Sequence, residues 1–166
     1  MSSGRFLNGL GFVLCAGLIA YALYSQYGLG LEPCPLCIFQ RIGVILLGLA
    51  FLAAVIHGPK RRGRYVYGSL IVVFALLTGA LAARHLYIQS LPPGSLPSCG
   101  APLAMMLRFA PVTEVIRKVL TGSGECGEVN WRFLGLAMPG WVLIWALALG
   151  ALGTLANFRR GASPAR

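Results

Sequence analysis

Cys34-Pro35-Leu36-Cys37 is a C-x-x-C pair, a spacing that closes a tight, reducible disulfide and suits thiol–disulfide exchange. Pro35 fits the first position of a helix. The sequence therefore places Cys34 at a helix cap and Cys37 in the first turn, where unpaired N–H groups and the helix dipole stabilise a thiolate. Arg41 follows Cys37 by four residues, on the same helical face and about one turn deeper. A charge at that depth of an apolar segment is costly and by default marks function; a thiolate or a bound anionic species is its natural partner. The blander account is an arginine that snorkels to lipid headgroups.

Three further cysteines complete the set. Cys15 sits in the middle of an apolar run, where a thiol packs as a small apolar side chain. Cys99 and Cys126 are flanked by glycines, with Pro97 close by, which predicts irregular, exposed backbone. A bond between them would close a flexible loop within reach of an incoming thiolate. Inert staples are one alternative for both pairs. A tetrahedral zinc site among Cys34, Cys37, Cys99 and Cys126 is another. Cys99 and Cys126 lie 26 residues apart, without the second close pair of a zinc ribbon, so no metal is expected. A relay through two cysteine pairs needs an electron sink, and neither G-x-G-x-x-G nor C-x-x-C-H is present. That leaves an acceptor dissolved in the membrane. A quinone fits, its head group docking beside Cys37 and Arg41. Arg84 and His85 would approach from a neighbouring helix, with His85 donating a hydrogen bond or proton. For His85 the bland account is an interfacial polar residue.

The elements that must position these residues follow from composition. Of 166 residues, 57% are hydrophobic and 11% charged, and the mean hydropathy is +0.76. Too little polar side chain remains to cover a water-facing surface, which excludes a soluble enzyme, a disordered tail and a collagen-like fibre. The net charge of +10 lies in short clusters between apolar runs, without an aromatic-interleaved basic stripe, which argues against nucleic acid. Residues 6–31, 65–83 and 133–158 carry no charge, and residues 37–56 carry only Arg41. Each run matches the roughly 20 residues of a membrane-spanning helix, and period-2 alternation is absent. No small-residue cleavage site follows the first run, which therefore reads as a span and not a signal peptide.

The expected fold is an all-α, integral membrane four-helix bundle in one domain, residues 1–166. Its spans lie at about 8–27, 37–56, 65–86 and 139–158, joined outside by loops at about 28–36 and 89–138. Within the long loop, Leu103–Phe109 and Val112–Leu120 read as short helices lying on the membrane, and Trp131, Phe133, Leu134, Leu136 and Met138 as an apolar approach to the last span. Arg5, Lys60, Arg61, Arg62, Arg64, Arg159, Arg160 and Arg166 fall on one side with no acid. Glu32, Glu114, Glu125 and Glu128 all fall on the other. The positive-inside rule then puts both termini in the cytoplasm and the long second loop outside, on the oxidising side.

Glu-Pro-Cys-Pro-Leu-Cys-Ile-Phe-Gln-Arg (32–41), His85 before the long loop, Cys99, and Gly-Glu-Cys126 leading into Trp-Arg-Phe-Leu-Gly-Leu-Ala-Met-Pro-Gly-Trp (131–141) resemble the disulfide bond formation protein B (DsbB) family over essentially the whole chain. The resemblance implies a bacterial inner-membrane thiol:quinone oxidoreductase with its active face in the periplasm. Such an enzyme reoxidises DsbA, a thioredoxin-fold disulfide donor, and passes the electrons to ubiquinone, or in some relatives menaquinone. DsbA is a strong oxidant because its reduced form is stabilised, so regenerating it needs a favourable acceptor. Carried over by residue, Cys99 takes the DsbA thiolate, and Cys126 pairs with Cys99 at rest and relays to Cys34. Cys37 faces the quinone, which Arg41 holds with His85 nearby. Gln40 and Ala137 depart from the acidic residues expected there, so local charge tuning is not carried over. Four-helix thiol oxidoreductases resembling vitamin K epoxide reductase would carry the C-x-x-C late in the chain. A structural or metal-binding membrane subunit is the rival of another class, and a transporter is disfavoured by the absence of an inverted repeat.

Overall fold

The computed structural model describes residues 3–59, 62–92, 106, 108–122, 124–127, 129 and 131–158. In chain order its elements are α1 (Ser3–Tyr27), α2 (Pro35–His57), α3 (Arg62–Gln89), α4 (Val112–Thr121), the single turn α5 (Gly124–Gly127), β1 (Arg132–Phe133), β2 (Leu136–Ala137) and α6 (Met138–Asn157). The helices α1, α2, α3 and α6 are each long and apolar enough to cross a membrane. Helices suit that solvent because every backbone bond closes within the segment. The all-α membrane bundle expected from hydropathy is therefore the observed fold.

Each spanning helix packs chiefly on two others: α1 on α2 and α6, and α3 on α2 and α6, with only a slight contact between α2 and α6. The bundle thus closes as a ring in the order α1, α2, α3, α6. Its core joins Leu47 and Phe51 of α2, Ile71 of α3, Leu149 of α6 and Cys15 of α1. Small residues set the close approaches. A Cβ on Gly11 would lie 2.6 Å from the Phe51 ring, and Gly153 faces Ile71 too closely for any side chain. Leu76, Leu77 and Leu147 point outward and stay exposed, as lipid-facing side chains do.

Polar anchors hold the ends. Pro35 opens α2, and Gly58 closes it in the left-handed region (φ 52°), its N–H donating to the Ala54 carbonyl. At that same end Arg5 Nε donates to the Val55 carbonyl (2.8 Å), and Arg64 Nη2 to the Asn157 carbonyl (3.0 Å). Cations thereby satisfy carbonyls that helix C-termini leave over. Asn8 and Asn157, both buried, exchange amide hydrogen bonds of 3.3 and 3.1 Å that tie α1 to α6.

The long connection is more structured than an apolar approach. Leu134 (φ 51°) and Gly135 (φ 81°) turn β1 into β2, two positive φ values of the kind a tight two-residue hairpin requires. Trp141 Nε1 donates to the Phe133 carbonyl (3.1 Å), and Trp131 stacks on Phe133 and meets Tyr21 edge-on, so the hairpin is pinned to α1 and α6. The expected helix at 112–120 is α4. Of the expected helix at 103–109, residues 103–105 and 107 lie outside the described residues.

The asparagine pair yields a stability test. Asn157→Ala removes both bonds from a buried Asn8 amide, costing about 1–3 kcal/mol, which corresponds to a fall of about 2–12 °C in the thermal midpoint in detergent. Replacing both residues by Leu should cost less than the sum of the two single changes, because no orphaned amide is left. An unchanged midpoint for Asn157→Ala would show that the pair contributes nothing.

Candidate active site

The C-x-x-C sits where its sequence directs it. Cys34 is the N-cap of α2, in extended conformation, and its Sγ accepts the Cys37 backbone N–H at 3.4 Å. Serine and aspartate fill the same role with oxygen. The two sulfurs lie 3.0 Å apart as thiols. They differ in burial. Cys34 belongs to a buried cluster with Leu36, Ile88, Val115 and Cys126, while Cys37 is half-buried and packs against that cluster, and both sulfur-bearing residues line a cavity.

His85, near the end of α3 and 2% exposed, joins these parts. Its Nε2 lies 3.1 Å from the Cys126 carbonyl and 3.7 Å from Cys34 Sγ. Its Nδ1 lies 3.1 Å from Gln40 Nε2. A carbonyl only accepts, so in the neutral ring the proton is on Nε2, and Nδ1 accepts from the Gln40 amide. One imidazole thus links α2, α3 and the turn α5 that carries Cys126. The structure brings Cys34, Cys37, Cys126 and His85 to one end of the bundle. Cys99 lies outside the described residues.

A cavity of about 790 Å³ opens from that end between α1, α2, α3 and α6. Its walls are mostly apolar, with Val44, Leu47, Trp145 and Leu149 among them, and Glu32, Cys34, Cys37, Gln40, Arg41 and His85 are among its polar residues. Arg41 does not lean onto Cys37. Its guanidinium reaches α1, donating to Gln26 Oε1 and to the Ala22 carbonyl (Nη2, 3.0 Å). Among the described residues no carboxylate lies within ion-pair distance of it, and its remaining N–H groups are donors at the cavity wall. Arg84 is elsewhere: it donates to the Leu120 carbonyl of α4 (2.9 Å) and lies over the Tyr87 ring.

Sequence reasoning noted Gln40 only as a departure in charge, without its contact to His85, and passed over Gln26. Gln40 is 4% exposed and follows Cys37 by three residues, so helical spacing alone could have placed it beside the thiols. Nothing in the sequence marks Gln26, because its role depends on how α1 packs against α2.

Membrane-length helices gathered around a thiol pair define a multi-pass membrane protein with a cysteine-based redox centre. The family model described as "Disulfide bond formation protein DsbB" matches residues 4–156. A disulfide bond formation protein B of Xanthomonas euvesicatoria is 48% identical over 151 residues, covering 90% of this chain and 88% of that one. Those of Marinobacter nauticus and Hahella chejuensis are 46% and 48% identical over 158 residues, covering 95% of this chain and 94% and 96% of theirs. The chain belongs to the DsbB family, and membership supports disulfide-forming oxidoreductase activity and a role in disulfide bond formation.

The burial pattern predicts the order of alkylation in the reduced, folded chain. Half-buried Cys37 should react at least about tenfold faster than Cys15, Cys34 or Cys126, since attack needs an accessible thiolate. Peptide mapping by mass spectrometry after a maleimide time course reads this order directly. Labelling of Cys15 as fast as Cys37 would contradict it.

Proposed function

We propose that this chain is an inner-membrane thiol:quinone oxidoreductase that reoxidises a periplasmic, thioredoxin-fold donor of the DsbA type and delivers the electrons to ubiquinone, with menaquinone as the alternative acceptor. Both termini face the cytoplasm on this reading, and the C-x-x-C end faces the periplasm. The observation that carries it is a thiol pair that borders the buried Cys126 segment on one side and a mostly apolar cavity on the other, with Cys37 the more exposed of the two.

The residues fit a quinone. The cavity has the size and apolar lining of a small-molecule site, with the Arg41 guanidinium and the Cys37 thiol near each other on one wall. When bound, a quinone supplies a two-electron, two-proton acceptor. Arg41 would donate to a ring carbonyl, held in aim by Gln26 and the Ala22 carbonyl. His85 would hold a proton at Nε2 beside Cys34 Sγ.

The thiol steps conserve electrons. A thiolate of the reduced donor attacks Cys99 of a Cys99–Cys126 disulfide, and the released Cys126 thiolate attacks Cys34 of a Cys34–Cys37 disulfide. Cys37 leaves as a thiolate where the helix N-terminus stabilises it. The second donor thiol then resolves the mixed disulfide, and Cys126 exchanges back to Cys99. The Cys34–Cys37 dithiol is left with two electrons and two protons for the acceptor. Cys34 and Cys126 sharing one buried cluster, bridged by His85, supports the middle exchange.

Quinone reduction by the purified chain in detergent, with a reduced DsbA-type donor, tests the reading. Ubiquinone absorbance should bleach with the wild type and not with Cys37→Ser, and Cys99→Ala should form no mixed disulfide with the donor. Arg41→Met should raise the KM for quinone about tenfold or more, one charge-assisted hydrogen bond contributing about 1.5–3 kcal/mol, while thiol exchange continues. Turnover that survives Cys37→Ser, or no turnover with either quinone, would refute the proposal.

A further inference from the structure

The same end of the bundle carries a second capacity. We propose that Cys34, Cys37 and His85 form a site for a thiophilic divalent cation, Zn²⁺ or Cd²⁺, that exists only while the C-x-x-C is a dithiol.

The ligand atoms Cys34 Sγ, Cys37 Sγ and one His85 ring nitrogen all lie within 4.8 Å of one another. The sulfurs are 3.0 Å apart, and Cys34 Sγ lies 3.7 Å from Nε2. Tetrahedral zinc with Zn–S of about 2.3 Å and Zn–N of about 2.0–2.1 Å needs roughly 3.8 Å between sulfurs and about 3.5 Å from sulfur to nitrogen. The sulfurs must therefore part by less than an ångström, and Cys37 must close on the imidazole by no more than about 1.3 Å. Side-chain rotation supplies both movements without displacing α2 or α3.

The surroundings suit such a site. Two thiolates and one divalent cation form a neutral unit with the imidazole, so no net charge is left in an apolar setting. A metal on Nε2 moves the ring proton to Nδ1. Gln40, 3.1 Å away, then takes that proton on Oε1 after turning its amide, which is the outer-shell hydrogen bond a metal-bound histidine uses. The cost is the contact from Nε2 to the Cys126 carbonyl. All three ligand residues line the cavity, so water from it could fill a fourth coordination position.

The chemistry is ligation and not redox. Two S–H protons leave, two metal–sulfur bonds form, and no electron moves. A Cys34–Cys37 disulfide has no thiolate to offer, so oxidation abolishes the site and metal in turn withholds the dithiol from oxidation. Free zinc would thereby hold the centre in its reduced form. This site differs from zinc among Cys34, Cys37, Cys99 and Cys126, because it draws on His85 in place of the loop cysteines.

The test titrates Cd²⁺ into the full chain in detergent, following the ultraviolet thiolate-to-cadmium charge-transfer band, with Zn²⁺ as competitor. The background Cys99→Ser/Cys126→Ser keeps both of those sulfurs out of the count and leaves neither to attack the Cys34–Cys37 disulfide. The dithiol form should bind one equivalent and the disulfide form none. His85→Ala and His85→Gln should each weaken binding at least about tenfold, and Gln40→Leu about 10- to 100-fold, as outer-shell changes do. Binding by the disulfide form, binding that survives Cys37→Ser, absence of binding to the dithiol form, or full affinity in both folded His85 variants would overturn the proposal. Neither quinone nor donor is present, so this result is separate from the outcome for the proposed activity.

Discussion

The functional end of the bundle depends on one buried imidazole. His85 has two nitrogens, and each is committed: Nδ1 to Gln40 of α2, and Nε2 to the carbonyl of Cys126 with Cys34 Sγ beside it. A neutral ring has one donor and one acceptor, so its partners must differ in kind, and a carbonyl and an amide N–H meet that demand. Removing either would leave a polar atom unpaired where water is scarce, at the desolvation cost of that group. The imidazole therefore fixes α2, α3 and the Cys126 turn relative to one another, and the C-x-x-C takes its surroundings from that arrangement.

The same accounting holds through the rest of the molecule. Among the described residues, no buried side-chain nitrogen or oxygen lacks a hydrogen-bond partner. Thr78 returns its hydroxyl to the Phe74 carbonyl (2.8 Å), Ser25 to the Tyr21 carbonyl (2.9 Å), and the two asparagines pair with each other. Helix contacts are then free to be close, through Gly11 against Phe51 and Gly48 against Cys15. Cys15 thus has the packing role its position in the first apolar run suggests.

Hydropathy made the four helices legible because a bilayer imposes a length that few other elements meet. The cap made the C-x-x-C geometry legible, since Pro35 admits one reading as a first helical residue. What stayed hidden depends on contacts between segments distant in sequence. Gln26 matters only because α1 lies against α2, and Gln40 because α3 brings His85 opposite it. The hairpin was hidden for another reason. Leu134 is an unusual residue for positive φ, so the turn lacks the usual Asn-Gly or Asp-Gly signature. Arg84, read from its neighbour as a companion of His85, points instead to α4, because successive helical residues project about 100° apart.

A pair of thiols three residues apart would ordinarily share one environment. Here the helix start makes them unequal: the cap residue Cys34 belongs to the buried cluster with Ile88, Val115 and Cys126, while Cys37 in the first turn packs against that cluster and is the more exposed, and both line the cavity. A disulfide relay between water and lipid needs that asymmetry, because its two partners arrive from different phases and cannot use the same approach. On the proposed reading, the donor's electrons enter through Cys34 and leave through Cys37, and the only distance they cover between the two is the gap between adjacent sulfurs. The long loop then serves to bring Cys126 to the cap, and the bundle to keep an apolar opening beside the first turn. His85, which touches the first and lines the second, makes the two arrangements depend on each other.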